Sequence, residues 1–371
     1  MAKPISMEDV HSIRVSSPGR ICLFGEHQDY LHLPVIPCAL SLRMEIEGCR
    51  RKDMNVFLDL PDIGQQERFS IAGPLTYTHG RDYFRSTVNV LRRHGYTFAT
   101  GFDCRVRGTI PINAGTSSSS ALIVSWVHFL TRMSEQQEVP PARMIAALAH
   151  EAEVVEFGEP GGMMDHYAAA CGGLFFLSFA PTISLSELPA RLGTLVLGNS
   201  GEPKDTTTIL ARVKNRVLEG VAHLSRIDKG FLLQNETPDS IESLSSKLSG
   251  DQMELLRGTV RNHQITRMAL ALLQDIQLDH RRLGFLLNEH QQVLRDVLRI
   301  STPKIDRMLA AAMDAGAAGG KINGSGGGGC MFAYAPDDPD RVAAAIGKAG
   351  GTAYIVRPDS GTRLEAGKGT E

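Results

Sequence analysis

Four consecutive serines, Ser117 to Ser120, stand between Gly115 and an apolar segment that begins at Ala121. If that segment is a helix, its first turn offers unpaired backbone N–H groups and a partial positive charge. Gly115, Ser117, Ser118, Ser119 and Ser120 could then hold a phosphate without large side chains, and a serine hydroxyl could ligate Mg²⁺. An ordinary serine N-cap explains the same run. A second segment, KINGSGGGGC at 321–330, has glycine at five of the six positions 324–329, which lets a backbone approach a ligand closely. It satisfies GxGxxG but leads into the strand-like Cys330-Met-Phe-Ala-Tyr334, and Lys321 is followed by Ile322 rather than Ser or Thr. Neither a dinucleotide fingerprint nor a Walker A loop fits that context. The third group is Gly25-Glu-His-Gln-Asp-Tyr30 with Arg20 upstream, and Asp165 in Gly161-Gly-Met-Met-Asp. Carboxylates and an imidazole such as Glu26, His27 and Asp29 can exchange hydrogen bonds with ring hydroxyls, which suits a polyol. A polar surface loop is the plainer reading of that run, and Asp165 alone reads as an acid at a helix N-terminus.

The elements that must position these residues follow from periodicity and breakers. A strand over Ile13 to Ser16 is expected to stop at Pro18-Gly19 and resume at Ile21 to Phe24, placing Gly25-Glu-His27 at a strand end. Strands are expected at Val35 to Glu47, Asn55 to Leu60, Phe102 to Ile110, Leu174 to Phe179 and Gly193 to Gly198. Helices are expected at Arg81 to His94, Ala121 to Met133, Ala142 to Phe157, which Pro160 ends, and Met163 to Ala170. A polar loop at Pro203 to Thr208 precedes a mainly helical region from Ile209 to about Gly316. The chain then runs through the loop Lys321 to Gly329, strand Cys330 to Ala335, helix Asp340 to Ala349 and strand Thr352 to Arg357. The boundary falls near Pro189, giving units of 1–189 and 190–371.

Bulk properties narrow the partners. With 371 residues, 42% hydrophobic, the chain can bury a large core in about two domains. A formal net charge of −2 gives no global attraction to nucleic acid or anionic membrane, so a small-molecule partner fits better. The six cysteines form no CxxC pair and read as reduced, packed thiols, and no apolar run has the length of a signal peptide or a membrane span. A soluble, cytoplasmic protein is expected.

Taken together and in order, Pro18-Gly-Arg-Ile-Cys-Leu-Phe-Gly-Glu-His-Gln-Asp-Tyr30, Pro111 to Ala121, Gly162 to His166 and Ile322 to Cys330 resemble the signature motifs of the GHMP kinases, the first looking like that of the galactokinase branch. The stretch from Leu286 through Asp306 is similar to the galactokinase sequence that precedes the third motif, whereas about Gly198 to Gly250 matches poorly. The resemblance implies an α+β fold of two domains, the first like domain 2 of ribosomal protein S5 and the second ferredoxin-like, with the active site in the cleft between them. It implies ATP and Mg²⁺, with the phosphates on Gly115 to Ser120. Residue by residue, Asp165 matches the catalytic aspartate and Arg20 the arginine beside it; Glu26, His27 and Asp29 match sugar-hydroxyl binders; Gly162 matches a backbone sugar contact; and Ser119 and Glu153 match the Mg²⁺ positions.

Departures touch both the phosphate loop and the sugar pocket. Asn113 and Ala114 replace family glycines, Thr116 a leucine, Gln28 a threonine, Gly161 a cysteine and His166 a glutamine. The expected activity is therefore an ATP-dependent sugar kinase, with the anomeric hydroxyl of galactose or a related sugar as leading acceptor and a sugar 1-phosphate as product. Alternatives are a kinase for a pentose, heptose, uronic acid or mevalonate-like alcohol, and a catalytically silent sugar sensor. The presence of Asp165 and an unbroken Ser117 to Ser119 argues for the enzyme.

Overall fold

A computed structural model of the protein describes residues 12–112, 114–159, 161–203, 209 and 211–366. Residues 1–11, 113, 160, 204–208, 210 and 367–371 lie outside the described residues.

Strand β1 (Ile13–Phe24) is continuous. The expected break at Pro18-Gly19 is instead a register shift between Pro18 and Arg20 against β2 (Ile36–Arg50). Proline has no N–H to give the ladder, and a bulge absorbs that loss without ending the strand. The shift frees the Arg20 N–H to donate to Thr116 O at 3.2 Å, tying the strand to the serine loop. With β3 (Asn55–Leu60), β4 (Gln65–Ser70), β5 (Phe102–Gly108) and the short β12 (Arg363–Leu364), these strands form a sheet ordered β12-β1-β2-β5-β3-β4, parallel only between β3 and β5. Helices α1 (Tyr83–Arg93), α2 (Ser118–Met133), α3 (Ala142–His150) and α4 (Met164–Cys171) bring apolar side chains to a core that includes sheet residues. Trp126 lies stacked on Phe129 at 5.4 Å in that core. Past His150, the helix expected to run on to Phe157 widens into a π turn over Glu151–Val155.

A two-stranded ribbon, β6 (Phe175–Ser178) with β7 (Ser184–Glu187), precedes a second sheet. Its strands β8 (Leu195–Asn199), β9 (Gly319–Ile322), β10 (Cys330–Tyr334) and β11 (Thr352–Val356) run in the order β11-β8-β10-β9, all antiparallel. Its core takes in Ile21, Leu23, Phe24 and Ile36 from the first unit, so the two halves share buried apolar surface. Beyond Val356 the chain returns to the first sheet, bridging Leu40 to Pro358 and Gly172 to Ser360, and β12 (Arg363–Leu364) pairs with β1. None of the six cysteines is in a disulfide, and no described helix is long and apolar enough to cross a membrane.

Candidate active site

A cleft of about 830 Å³ gathers the serine loop, the segment after β1, the start of α4 and Gly324-Ser325. Asp165 sits in the first turn of α4, and Arg20 reaches it from β1 with Nε and one terminal nitrogen, each at 2.7 Å from a carboxylate oxygen. Ser117 Oγ donates to the same carboxylate. Burial alone would push this carboxyl up, but the charge of Arg20 and the hydrogen bonds from Arg20 and Ser117 outweigh it and hold Asp165 below its ordinary range. The remaining Arg20 nitrogen donates to Gly115 O at 2.5 Å.

Ser117 has a left-handed backbone, φ 60°, and its hydroxyl turns to Asp165 rather than capping α2. The first-turn amides of α2 therefore have no side-chain cap, and Ser118, Ser119 and Ser120 line the cleft. An uncapped helix N-terminus against open space is suited to an anion. Gly115 O also accepts from Asn323 Nδ2 at 2.8 Å, and a Cβ on Gly324 would come within 2.9 Å of that oxygen, so only glycine permits the approach of the two loops.

The segment after β1 divides by role. Glu26, expected to bind a sugar hydroxyl, is 2% exposed and spends its carboxylate inside the protein: Lys321 Nζ lies 2.5 Å from Oε2, and Gly324 N–H donates to Oε1. Each oxygen therefore has a partner within the protein before any ligand arrives, although the residue still lines the cleft. His27 is likewise engaged. Its Nε2–H donates to the Ser325 carbonyl at 3.1 Å and Nδ1 accepts from the Tyr30 hydroxyl at 2.8 Å, while burial pushes its pKa below the ordinary 6.5. Asp29 accepts from the Tyr30 N–H at 2.9 Å through Oδ1, and burial, with the nearby charge of Asp165, raises its pKa to about 6. Gly162 is fixed by that carboxylate, since a Cβ there would stand 1.7 Å from Asp29 Oδ2.

Glu153 projects from the π turn and lines the cleft with one oxygen, Oε2, accepting from His166 Nε2 at 2.7 Å. Its other oxygen accepts no hydrogen bond among the described residues. Ser119, which lines the same cleft, is exposed. One spare carboxylate oxygen and one hydroxyl match the small protein share that Mg²⁺ takes beside phosphate, so these residues fit the metal. At the other side of the cleft, Tyr83 and Phe157 meet edge to face at 5.8 Å beside the Arg81–Glu159 ion pair.

The structure thus brings every expected residue to one cleft but adds partners the sequence did not announce. Lys321 read only as a failed Walker A lysine, yet it neutralises Glu26 from 295 positions away. Asn323 and Ser325 likewise act on Gly115 and His27 through contacts that no local pattern encodes.

Residues 8–48 match the galactokinase galactose-binding signature, 82–173 the N-terminal domain of GHMP kinases and 269–352 their C-terminal domain. The chain is 26% identical over 363 residues to the mevalonate kinase of Thermococcus sibiricus, covering 95% of this chain and 98% of that protein. It is 28% identical over 340 residues to the galactokinase of Mannheimia succiniciproducens, covering 87% and 85%. Among solved structures, Lactococcus lactis galactokinase complexed with galactose shares the fold at a TM-score of 0.85, with 21% identity and 95% of each chain covered. The Methanococcus jannaschii mevalonate kinase does so at 0.72, with 17% identity, over 96% of this chain and all of that one.

Proposed function

Since the chain belongs to the GHMP kinases, a family that uses ATP as phosphate donor, we propose that it phosphorylates a sugar, with the anomeric hydroxyl of galactose or a close relative as acceptor and a sugar 1-phosphate as product. The observation that carries this reading is Asp165 clamped by Arg20 and Ser117 beside the uncapped start of α2, with Asp29 in the same cleft.

Phosphoryl transfer asks the protein mainly for alignment and charge neutralisation. The α2 amides and serines 117–120 receive the nucleotide phosphates. Arg20 keeps Asp165 ionised and adds positive charge beside the transferred group. A carboxylate held below its ordinary range is a weak base, so Asp165 orients the acceptor hydroxyl through a hydrogen bond and takes its proton late, once the oxygen has begun to bond phosphorus. Asp29 accepts from a second sugar hydroxyl, and Gly162 leaves room for its carboxylate. Ser119 and Glu153 would hold Mg²⁺, which neutralises phosphate charge when bound.

Relatives named mevalonate kinase at the same level of identity support a second reading, a kinase for a branched hydroxy acid. Incubation with Mg·ATP and a panel of hexoses, pentoses, heptoses, uronic acids and mevalonate, with the phosphate located by NMR, separates the two. Phosphate on the anomeric oxygen of a hexose is expected; turnover of mevalonate alone would overturn the sugar reading.

A further inference from the structure

Glu153 leaves the π turn, and the one hydrogen bond that restrains its side chain among the described residues comes from His166. His166 is 1% exposed and stands edge-on to the His150 ring, with centroids 5.3 Å apart at 85°. Its Nδ1 is buried without a hydrogen-bond partner among the described residues, so Glu153 is the ring's single polar engagement. Leaving a buried polar atom unpaired is unfavourable, and a histidine that only filled space here could be replaced by an apolar ring at no loss. Asp165 and His166 are also consecutive in the first turn of α4, one bound to Arg20 and the other to Glu153. That turn therefore sets the acceptor side and the phosphate side of the cleft together.

Resting on the reading of Glu153 as a metal ligand, we propose that His166 is a positioning residue for Glu153, aiming its free oxygen at a divalent cation bound with the nucleotide. Histidine stands here where the resembling kinases have glutamine, and its Nε2–H supplies a donor of the kind that a side-chain amide could also offer. The bond orients one carboxylate oxygen and leaves the other for the metal, the arrangement by which outer partners tune metal sites elsewhere.

The test titrates Mn²⁺ against the whole protein in the presence of a non-hydrolysable ATP analogue, with free Mn²⁺ read by electron paramagnetic resonance. His166→Phe keeps the ring and removes the donor, and is expected to weaken Mn²⁺ binding about 10–100-fold. His166→Gln, which can place an amide N–H near the lost Nε2, should restore affinity most of the way. Where His166→Phe does not fold, His166→Leu replaces it in the same titration. Unchanged Mn²⁺ affinity in the folded apolar variant, with affinity lost in Glu153→Gln, overturns the positioning role alone. Unchanged affinity in both removes Glu153 from the metal and the inference with it. Equal loss in the apolar and Gln variants overturns it as well, since the donor would then not be what matters.

Discussion

Asp165 and Asp29 face the same cleft, and their surroundings push their acidities in opposite directions. The guanidinium of Arg20 keeps Asp165 ionised through the whole working range, so pH should not switch it off. Asp165→Asn should lower kcat by about 10²–10⁴, the range for a positioned acid or base, with affinity for an ATP analogue nearly unchanged in a binding titration. Asp29, by contrast, is raised to about 6 and accepts a hydroxyl most strongly when ionised. Sugar kcat/KM should therefore fall as pH drops through about 6, while KM for ATP stays level over the same range. A flat sugar profile between pH 5 and 7.5 would remove Asp29 from sugar recognition. The same shift has a stability consequence of known sign. A carboxyl with a raised folded pKa binds its proton more tightly in the folded state, so its contribution favours folding below the unfolded value near 4 and is lost as pH rises through about 6. Asp29→Asn should accordingly stabilise the free protein by about 1–3 kcal/mol at pH 7.5, by about half as much at pH 5 and by little below pH 4, read as denaturation midpoints.

Individual elements show where spacing conveys a structure and where it does not. The glycine before Met163 is a case of the second kind: Gly162 carries no φ requirement, and its need arises from Asp29, 133 positions earlier. Gly162→Ala would drive a Cβ into that carboxylate and is expected to raise KM for sugar tenfold or more, with KM for ATP within about twofold, in steady-state kinetics; equal effects on both would point to a general disturbance of α4. Apolar periodicity was enough to reveal α1, α2 and α4, because their buried faces repeat locally. It also marked Asn55–Leu60 as a strand, whose partner β4 escaped notice, since QQERFS is an edge strand with a single buried side chain, Phe69. The strand over Gly319–Ile322 was hidden by its glycines, which are demanded by neighbours: a Cβ on Gly319 would meet Gly284 O at 2.2 Å. The proline in β1 suggests a stop because the sequence does not show that a bulge would hand the Arg20 N–H to Thr116 O. Of the site, the motif residues are legible as types, whereas the bonds of Asn323 and Lys321 depend on packing between distant segments, and that of His166 on the turn between Glu153 and α4.

At the scale of the whole molecule, the two sheets are joined by shared core, by the returning tail and by one buried ion pair. Glu26 follows β1 and Lys321 lies in β9, with side chains 2% and 0% exposed and 2.5 Å between Oε2 and Nζ. The Lys321 ammonium also donates to Ile322 O at 2.9 Å, and Glu26 reaches on to the Gly324 amide. The pair therefore fixes the glycine loop against the segment that carries His27 and Asp29. Two charges taken this far out of water gain little net stability together, but either one left alone is costly. Lys321→Met is expected to destabilise the protein by about 3–5 kcal/mol, and Glu26→Gln by a comparable amount through the stranded ammonium. The double variant should recover a large part of that loss, a coupling of at least about 2 kcal/mol in urea denaturation, because neither partner is then a buried unpaired charge. If Glu26 instead served chiefly as a sugar contact, its replacement would change sugar affinity while leaving stability alone, and the two single effects would simply add. A clamp further predicts that Lys321→Met, which carries no group toward the sugar, raises KM for sugar as well, since loosening the Gly324 loop also frees the Ser325 carbonyl that holds His27.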